Sequence, residues 1–319
     1  MEVIEIMDVE IEPKQQKPSL DWKAELAKNG YVVIPNVLDH EKAIVYYDRF
    51  WDWLEEFNTG IDRDDSQTWK GDNWPSNSHG IFQNYGIGHA QFVWDMRTEP
   101  NVIQVFKDLW KTEKLLTSFD GANMSKPSNR SGAWAHVDQG PKKVGFQCAQ
   151  GFVSLSDCGD DDGGLVVYER SHLLHEKFFK VHERKVTKDW YKFDTDSDEL
   201  RFYQSCKQIK VNCKAGDMVL WDSRTVHYNK TPSLKSKCRS VIYVCMTPKK
   251  LATKNDLEKK VSAFKYGRMT SHWPHKPILF PINPNTRGNK ALVDNFQVSR
   301  KELIVNTTML QLAGVKKYA

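Results

Sequence analysis

The sequence lacks several features that would assign it to a class at once. No apolar stretch approaches the roughly 20 residues that a membrane-spanning helix needs. The first 18 residues contain no apolar core of a secretory signal. None of the six cysteines belongs to a C-x-x-C pair. We therefore expect free thiols in a reducing, cytoplasmic setting and no insertion into a membrane.

An excess of charge of one sign is also missing. Lys and Arg total 46 against 41 Asp and Glu, which gives a formal net charge of +5. This balance is too mild to indicate a nucleic-acid partner by itself, so a small-molecule substrate is favoured and nucleic acid stays open. The 11 Trp, 11 Tyr and 15 Phe exclude a wholly disordered chain. Oligomeric state is left open.

The pattern of residue types along the chain changes near residue 115. Before it we predict a polar arm over 1–19, a short helix over 21–29, an edge strand over 31–37, an amphipathic helix over 41–57, irregular connections over 58–90 and a helix over 100–110. After it, six short β-branched and aromatic runs alternate with turns, interrupted by a polar, partly helical insertion over 171–203. Runs of this kind with few helices between them predict antiparallel sheets.

Three ligand-type side chains stand out in the second part of the chain. His136 and Asp138 form a His-x-Asp pair in an extended run, where residues two apart point to the same side. His227 follows a short apolar strand that begins at Gly216-Asp217. Two imidazoles and one carboxylate on one face of a metal form the ligand set of non-haem Fe(II) oxygenases, which leaves positions for a bidentate co-substrate and O2.

Arg239 lies 12 residues after His227, on the next β-run. We predict that this run is antiparallel to the strand carrying His227, so that the arginine can point into the same cavity. In oxygenases that use 2-oxoglutarate, the far carboxylate of the keto acid needs a cationic, fork-shaped partner, and arginine supplies it best. Each residue alone is common elsewhere, but their order along the chain favours an enzyme.

This ordered set resembles the phytanoyl-CoA dioxygenase family of Fe(II)- and 2-oxoglutarate-dependent oxygenases, over about residues 20–280. The segments that carry the resemblance are Gly30-Tyr31-Val32-Val33-Ile34-Pro35, His136-Val137-Asp138-Gln139, Gln150-Gly151-Phe152-Val153, Gly163-Gly164-Leu165-Val166-Val167, Arg170-Ser171-His172, Gly216-Asp217-Met218-Val219-Leu220-Trp221-Asp222-Ser223-Arg224, His227 and Arg239. It implies a mainly β fold with flanking helices, the double-stranded β-helix or cupin-like jelly roll.

The resemblance also implies roles for particular residues. His136, Asp138 and His227 would be the catalytic metal ligands, and Arg239 would anchor 2-oxoglutarate, with ascorbate as a compatible reductant. Asn229 stands where many relatives carry a Ser or Thr that assists the anchor. Asn123 is a further candidate contact to the co-substrate. Nothing in the sequence specifies an acyl-CoA site.

Neighbours of the candidate ligands allow two interpretations. We expect Gln139 to orient the carboxylate ligand from behind, as metal ligands usually require. Trp134 and Trp221 are predicted to pack the mouth of the fold, with substrate contact as the alternative. Arg224 is predicted to form a local ion pair with Asp222, and contact with substrate is again the alternative.

The length of the chain suggests two domains, but residues that converge on one iron must share a core. We therefore predict one oxygenase domain over 20–280, with its jelly-roll core at about 115–246 and a C-terminal extension over 281–319 packed on it. The expected reaction is hydroxylation of a C–H bond of a small molecule, with succinate and CO2 as co-products. The alternatives are a non-catalytic jelly-roll metal-binding protein and an oxygenase that acts on nucleic acid or protein.

Overall fold

The structure, a computed structural model, describes residues 21–70, 73–129, 134–182, 186, 188–194, 198–281 and 303–318. The helices in these ranges are α1 (Trp22–Asn29), α2 (His40–Glu55), α3 (Gln91–Thr98), α4 (Pro100–Trp110), α5 (His175–Val181), α6 (Lys254–Lys265) and α7 (Thr307–Leu312). The strands are β1 (Tyr31–Ile34), β2 (Ile81–Phe82), β3 (Leu115–Thr117), β4 (Ala122–Ser125), β5 (His136–Val137), β6 (Ala149–Ser154), β7 (Gly164–Tyr168), β8 (Tyr191–Lys192), β9 (Gln208–Lys210), β10 (Met218–Asp222), β11 (His227–Lys230), β12 (Arg239–Tyr243) and β13 (Met246–Pro248). The predicted arm over 1–19 lies outside the described residues.

Two antiparallel sheets form the centre of the molecule. The larger has the strand order β1-β10-β6-β12-β4-β2, and the smaller has the order β8-β5-β11-β7-β9. Strands distant in sequence are neighbours in both sheets, as a jelly roll requires. The predicted fold class, mainly β with flanking helices, is confirmed, and β1 is the edge strand that the sequence predicted.

Alternate residues of a strand point to opposite faces of the sheet, so they contribute to two different hydrophobic cores. On β10, Met218 and Leu220 face the core beneath the helices, whereas Val219 and Trp221 face the space between the sheets. There they meet Leu165 of the smaller sheet. Because both faces of β10 are covered, the sequence of this strand is a nearly continuous apolar run.

Helices α2, α3 and α4 cover the outer face of the larger sheet. The predicted amphipathic helix over 41–57 is present as α2, and most of its buried side chains are aromatic, Phe50 and Trp51 among them. Ile44 is 44% exposed, while Tyr46 and Trp53 are buried. Helix α3, which follows the irregular stretch over 58–90, was not predicted.

The described C-terminal residues lie against β3. Met309 and Leu312 of α7 are buried, and the hydroxyl of Tyr318 donates to the carbonyl of Leu115 at 2.7 Å. The proposed division of the chain at residues 20 and 280 stays a prediction. None of the helices within the described ranges has the length and apolar character that crossing a membrane requires.

Candidate metal centre

Two histidines meet at the junction of neighbouring strands in the smaller sheet. Strand β5 pairs with β11 so that His136 lies directly opposite His227. Asp138 follows β5, and its backbone N–H donates to the carbonyl of Ser223 at 3.0 Å. The ligand atoms of His136, Asp138 and His227 all lie within 4.8 Å of one another, and the three side chains are buried.

Backbone carbonyls set the orientation of both imidazoles. Nδ1 of His136 hydrogen-bonds to the carbonyl of Trp134 at 3.1 Å, and Nδ1 of His227 bonds to that of Thr225 at 2.9 Å. A carbonyl only accepts, so each Nδ1 carries the proton and each Nε2 keeps its lone pair. These Nε2 atoms face Oδ2 of Asp138 at 3.5 and 3.3 Å. The cluster thus presents two imidazole lone pairs and a carboxylate to one point.

The protonation of the cluster suits a divalent cation. Burial alone would raise the pKa of Asp138, but the neighbouring imidazoles of His136 and His227 outweigh burial and hold that pKa well below its usual value. Burial, followed by the charge of His136, lowers the pKa of His227. An ionised carboxylate beside two imidazole nitrogens is a donor set that first-row divalent metals accept.

Gln150, and not the predicted Gln139, contacts the carboxylate. Nε2 of Gln150 on β6 donates to Oδ2 of Asp138 at 2.9 Å. The amide of Gln139 instead donates to the carbonyls of Lys143 and Gly145 and accepts from the hydroxyl of Ser223. Gln139 therefore holds the loop that follows the ligands, because the turn after β5 directs its side chain away from Asp138.

Arg239 reaches the interior from the opposite sheet. Its strand, β12, pairs with β4 and β6 in the larger sheet, whereas His227 lies on β11 of the smaller sheet. The guanidinium is buried, and Nη1 and Nη2 have no hydrogen-bond partner among the described residues. The two halves of the site converge across the gap between the sheets.

A chain of ring contacts connects Arg239 with the candidate metal ligands. The guanidinium carbon lies 5.0 Å from the ring centroid of Phe152, which is 5.9 Å from the ring of Trp221. The ring of Trp221 is 5.4 Å from that of His227. The arginine and the ligand cluster therefore border one interior region with largely aromatic walls.

The two asparagines that were predicted to contact the co-substrate have other partners. Nδ2 of Asn229 donates to the hydroxyl of Tyr243 at 3.3 Å, at the inner face of the sheets. Nδ2 of Asn123 donates to the carbonyl of His79 at 3.1 Å, and its Oδ1 accepts from Ser125. Asn123 thus holds the loop at residue 79, and contact of either asparagine with 2-oxoglutarate stays a prediction.

The remaining predicted neighbours are engaged in packing or in local pairs. The indole of Trp134 stacks on the rings of His136 and His79, at centroid distances of 4.5 and 4.3 Å. Trp221 lies between the sheets, as described above. Arg224 makes the predicted two-pronged ion pair with Asp222, whose Oδ2 is 2.7 Å from Nη2.

His272 is a polar group beside the ligands that the sequence pattern did not assign. The charges of Asp138 and His227 both act on its ring, and burial lowers its pKa. Its Nε2 is buried and has no partner among the residues that the structure describes. A single histidine in a short segment that contains prolines carries no ligand signature, so the sequence pattern did not mark it.

Comparison with known proteins gives the same family as the motifs. The model of the phytanoyl-CoA dioxygenase family matches residues 26–235. A curated relative, Ava biosynthesis cluster protein O of Aspergillus versicolor, is 33% identical over 285 residues, which cover 85% of this chain and 91% of that protein.

Solved structures with low sequence identity share the fold. A hypothetical protein from Escherichia coli is 13% identical with a TM-score of 0.61, over 92% of this chain and 81% of that chain. SnoK, described as a non-haem α-ketoglutarate-dependent carbocyclase from nogalamycin biosynthesis, is 16% identical with a TM-score of 0.50, over 83% of this chain and 95% of that chain.

Proposed function

Since the chain belongs to the phytanoyl-CoA dioxygenase family, we propose that it hydroxylates a C–H bond of a small organic molecule. As a member of this family it is an oxygenase that depends on Fe(II) and 2-oxoglutarate. In the proposed reaction 2-oxoglutarate and O2 are consumed, and succinate and CO2 leave together with the hydroxylated product. His136, Asp138 and His227 hold the iron, and Arg239 binds the far carboxylate of 2-oxoglutarate.

The observation that carries these roles is that Nη1 and Nη2 of the buried Arg239 have no hydrogen-bond partner among the described residues. Buried polar groups are almost always hydrogen-bonded, and a buried charge without a partner is costly. A carboxylate of the co-substrate supplies the missing acceptors in a two-pronged geometry. The ring contacts to His227 support placing that carboxylate in the region beside the metal ligands.

The residues of the chain prepare the site for this chemistry. The carbonyls that bind Nδ1 of His136 and His227 aim both Nε2 atoms at one point, and Gln150 holds the carboxylate of Asp138 beside them. Aromatic and aliphatic side chains of both sheets keep bulk water out of this region. The iron, when bound, supplies the oxidising power toward an unactivated C–H bond.

A screen for succinate formation tests the proposal. Purified protein with Fe(II), 2-oxoglutarate and mixtures of metabolites is expected to release succinate faster when a substrate is present, and the product should gain one oxygen atom from isotopically labelled O2. Bound metal without any turnover of 2-oxoglutarate would instead identify a non-catalytic metal-binding protein. Salt-dependent binding of oligonucleotides would favour a nucleic-acid substrate.

A further inference from the structure

Two indoles lie against the ring of His136, and only one of them is open to a ligand. Trp134 is stacked between packing partners of the fold, as described above. Trp190 lies 6.0 Å from the His136 ring at an interplanar angle of 46°, and it contacts no second ring among the described residues. Its side chain is 49% exposed, although the imidazole beneath it is buried. A broad aromatic surface is thus left uncovered directly beside a metal ligand.

The backbone around Trp190 is held firmly in place. The preceding residue, Asp189, accepts a hydrogen bond from the N–H of Gly140 at 3.3 Å and pairs with the ammonium of Lys143. A side chain at Gly140 would lie only 2.6 Å from the carbonyl oxygen of Lys188, so this close approach requires glycine. The chain that carries the indole is therefore tethered to the loop after β5 by the residue directly before Trp190.

A positively charged side chain, that of Lys192, lies on the same side of the chain as Trp190. Strand β8 pairs with β5 so that Lys192 lies directly opposite His136, and directly opposed residues project to the same face. Trp190 lies two residues before Lys192 and shares that face by the alternation of extended chains. The ammonium of Lys192 has no ion pair or hydrogen bond among the residues that the structure describes. Its charge reaches the His79 ring, whose pKa is lowered by burial and by the charges of His136 and Lys192.

We propose that the substrate is a planar organic acid whose ring packs on Trp190 and whose acidic group pairs with Lys192. This inference rests on the proposed function, because it takes the cluster of His136, Asp138 and His227 as the centre of reaction. A tryptophan face provides a large, rigid apolar contact for a flat ring. The lysine then selects for an anion and fixes the orientation of the ring.

Binding of a matched pair of probes tests the proposal. We would titrate 2-naphthoic acid and 2-naphthalenemethanol calorimetrically into the protein held without O2 in the presence of Fe(II) and 2-oxoglutarate. The wild-type protein is expected to bind the acid about tenfold more tightly than the alcohol. Trp190→Ala should weaken both probes about tenfold, whereas Lys192→Gln should remove the preference for the acid and leave the alcohol unchanged. Tyr266→Ala, which removes an exposed aromatic side chain at the end of α6, should change neither.

Each other outcome contradicts one specific statement. Failure of either probe to bind the wild-type protein, or unchanged binding to Trp190→Ala, would overturn the planar substrate. A preference for the acid that survives in Lys192→Gln would overturn the ionic contact. The charge-transfer absorption of Fe(II) with 2-oxoglutarate is recorded in the same samples. Its presence while the probes fail leaves the proposed function intact, and its absence from the wild-type protein overturns the proposed function itself.

Discussion

Two buried arginines of this molecule have opposite surroundings. Arg97 on α3 is completely buried, and its Nη1 and Nη2 donate to the carbonyls of Gly88 and Asp120 at 2.6 and 2.7 Å. Arg239 on β12 is also buried, but its Nη1 and Nη2 have no acceptor among the described residues. The protein satisfies the terminal nitrogens of the first arginine by itself. Those of the second are, in the proposed function, satisfied by a carboxylate of the co-substrate.

The surroundings of Arg97 form a closed ionic cluster. The carboxylate of Asp120 is 3.6 Å from Nη2 of Arg97 and accepts from the hydroxyl of Ser118. The ammonium of Lys260 donates to the carbonyl of Thr117 and lies 3.9 Å from the ring centroid of Phe119. Every charged group there has a partner within the chain, so we assign this cluster to stability. The open cluster around the metal ligands is assigned to binding, and the predictions below test this difference.

Removal of a metal ligand is expected to have the largest effect. His136→Ala or Asp138→Ala should reduce succinate formation below detection, because the remaining two ligands no longer hold iron in a working geometry. Circular dichroism and thermal unfolding should stay close to those of the wild-type protein, since the open cluster does not hold the fold together. His40→Ala, at an exposed position at the start of α2, is the matched control. Full turnover in either ligand variant would contradict the assignment.

Replacement of the two arginines by methionine should separate stability from binding. Arg97→Met leaves the carboxylate of Asp120 buried without its ion-pair partner, so we expect the free energy of unfolding in urea to fall by about 3–5 kcal/mol. Arg239→Met removes an unpaired buried charge and should change the free energy of unfolding by less than about 1 kcal/mol, or increase it. Equal losses in both variants would show that the two arginines have the same structural role.

Loss of the hydrogen bond from Gln150 should weaken metal binding without removing it. Gln150→Leu frees the carboxylate of Asp138 to rotate, and such outer contacts are typically worth about 10- to 100-fold in metal affinity. The measurement is a competition titration of the metal with a chelator. Gln104→Leu, which removes an exposed glutamine of α4, is the control. An unchanged affinity in Gln150→Leu would remove this residue from the site.

The closed cluster should also give stability a characteristic dependence on pH. Burial, assisted by the charge of Arg97, lowers the pKa of Lys260 from 10.5 to about 7. Between these two values the unfolded chain binds more protons than the folded one, so stability should rise with pH by up to about 1.4 kcal/mol per pH unit. Urea unfolding at pH 7, 8 and 9 should show this rise in the wild-type protein and a smaller one in Lys260→Met. Parallel curves would contradict a lysine whose pKa is lowered by burial.

The cluster of two histidines and one carboxylate was the easiest part of the candidate site to predict from the sequence. His136 and Asp138 form a local motif whose geometry follows from the alternation of a strand, and His227 stands at the start of a short strand of its own after an apolar run. The position of Arg239 could be predicted only in part. The pairing of strands in a jelly roll depends on contacts between residues that are distant in sequence. The sequence therefore could not show which sheet carries the arginine.

Other contacts depend on turns that carry no periodic signal. Gln139 follows the carboxylate ligand in sequence, yet the turn after β5 directs its side chain elsewhere, while Gln150 reaches Asp138 from the other sheet. Trp190 lies in a polar insertion where no apolar spacing marks it. Its place beside His136 follows from the pairing of the two-residue strands β5 and β8, and pairs this short have no recognisable sequence pattern.

The central claim is that Nη1 and Nη2 of Arg239, which have no acceptor among the described residues, bind the far carboxylate of 2-oxoglutarate. Its most direct test compares 2-oxoglutarate with 2-oxobutyrate, which lacks the far carboxylate, by titration into the protein with Fe(II) in the absence of O2. We predict that the wild-type protein binds 2-oxoglutarate far more tightly, and that Arg239→Met binds both keto acids equally weakly. Equal affinity of the wild-type protein for both, or an undiminished preference in Arg239→Met, would contradict the account.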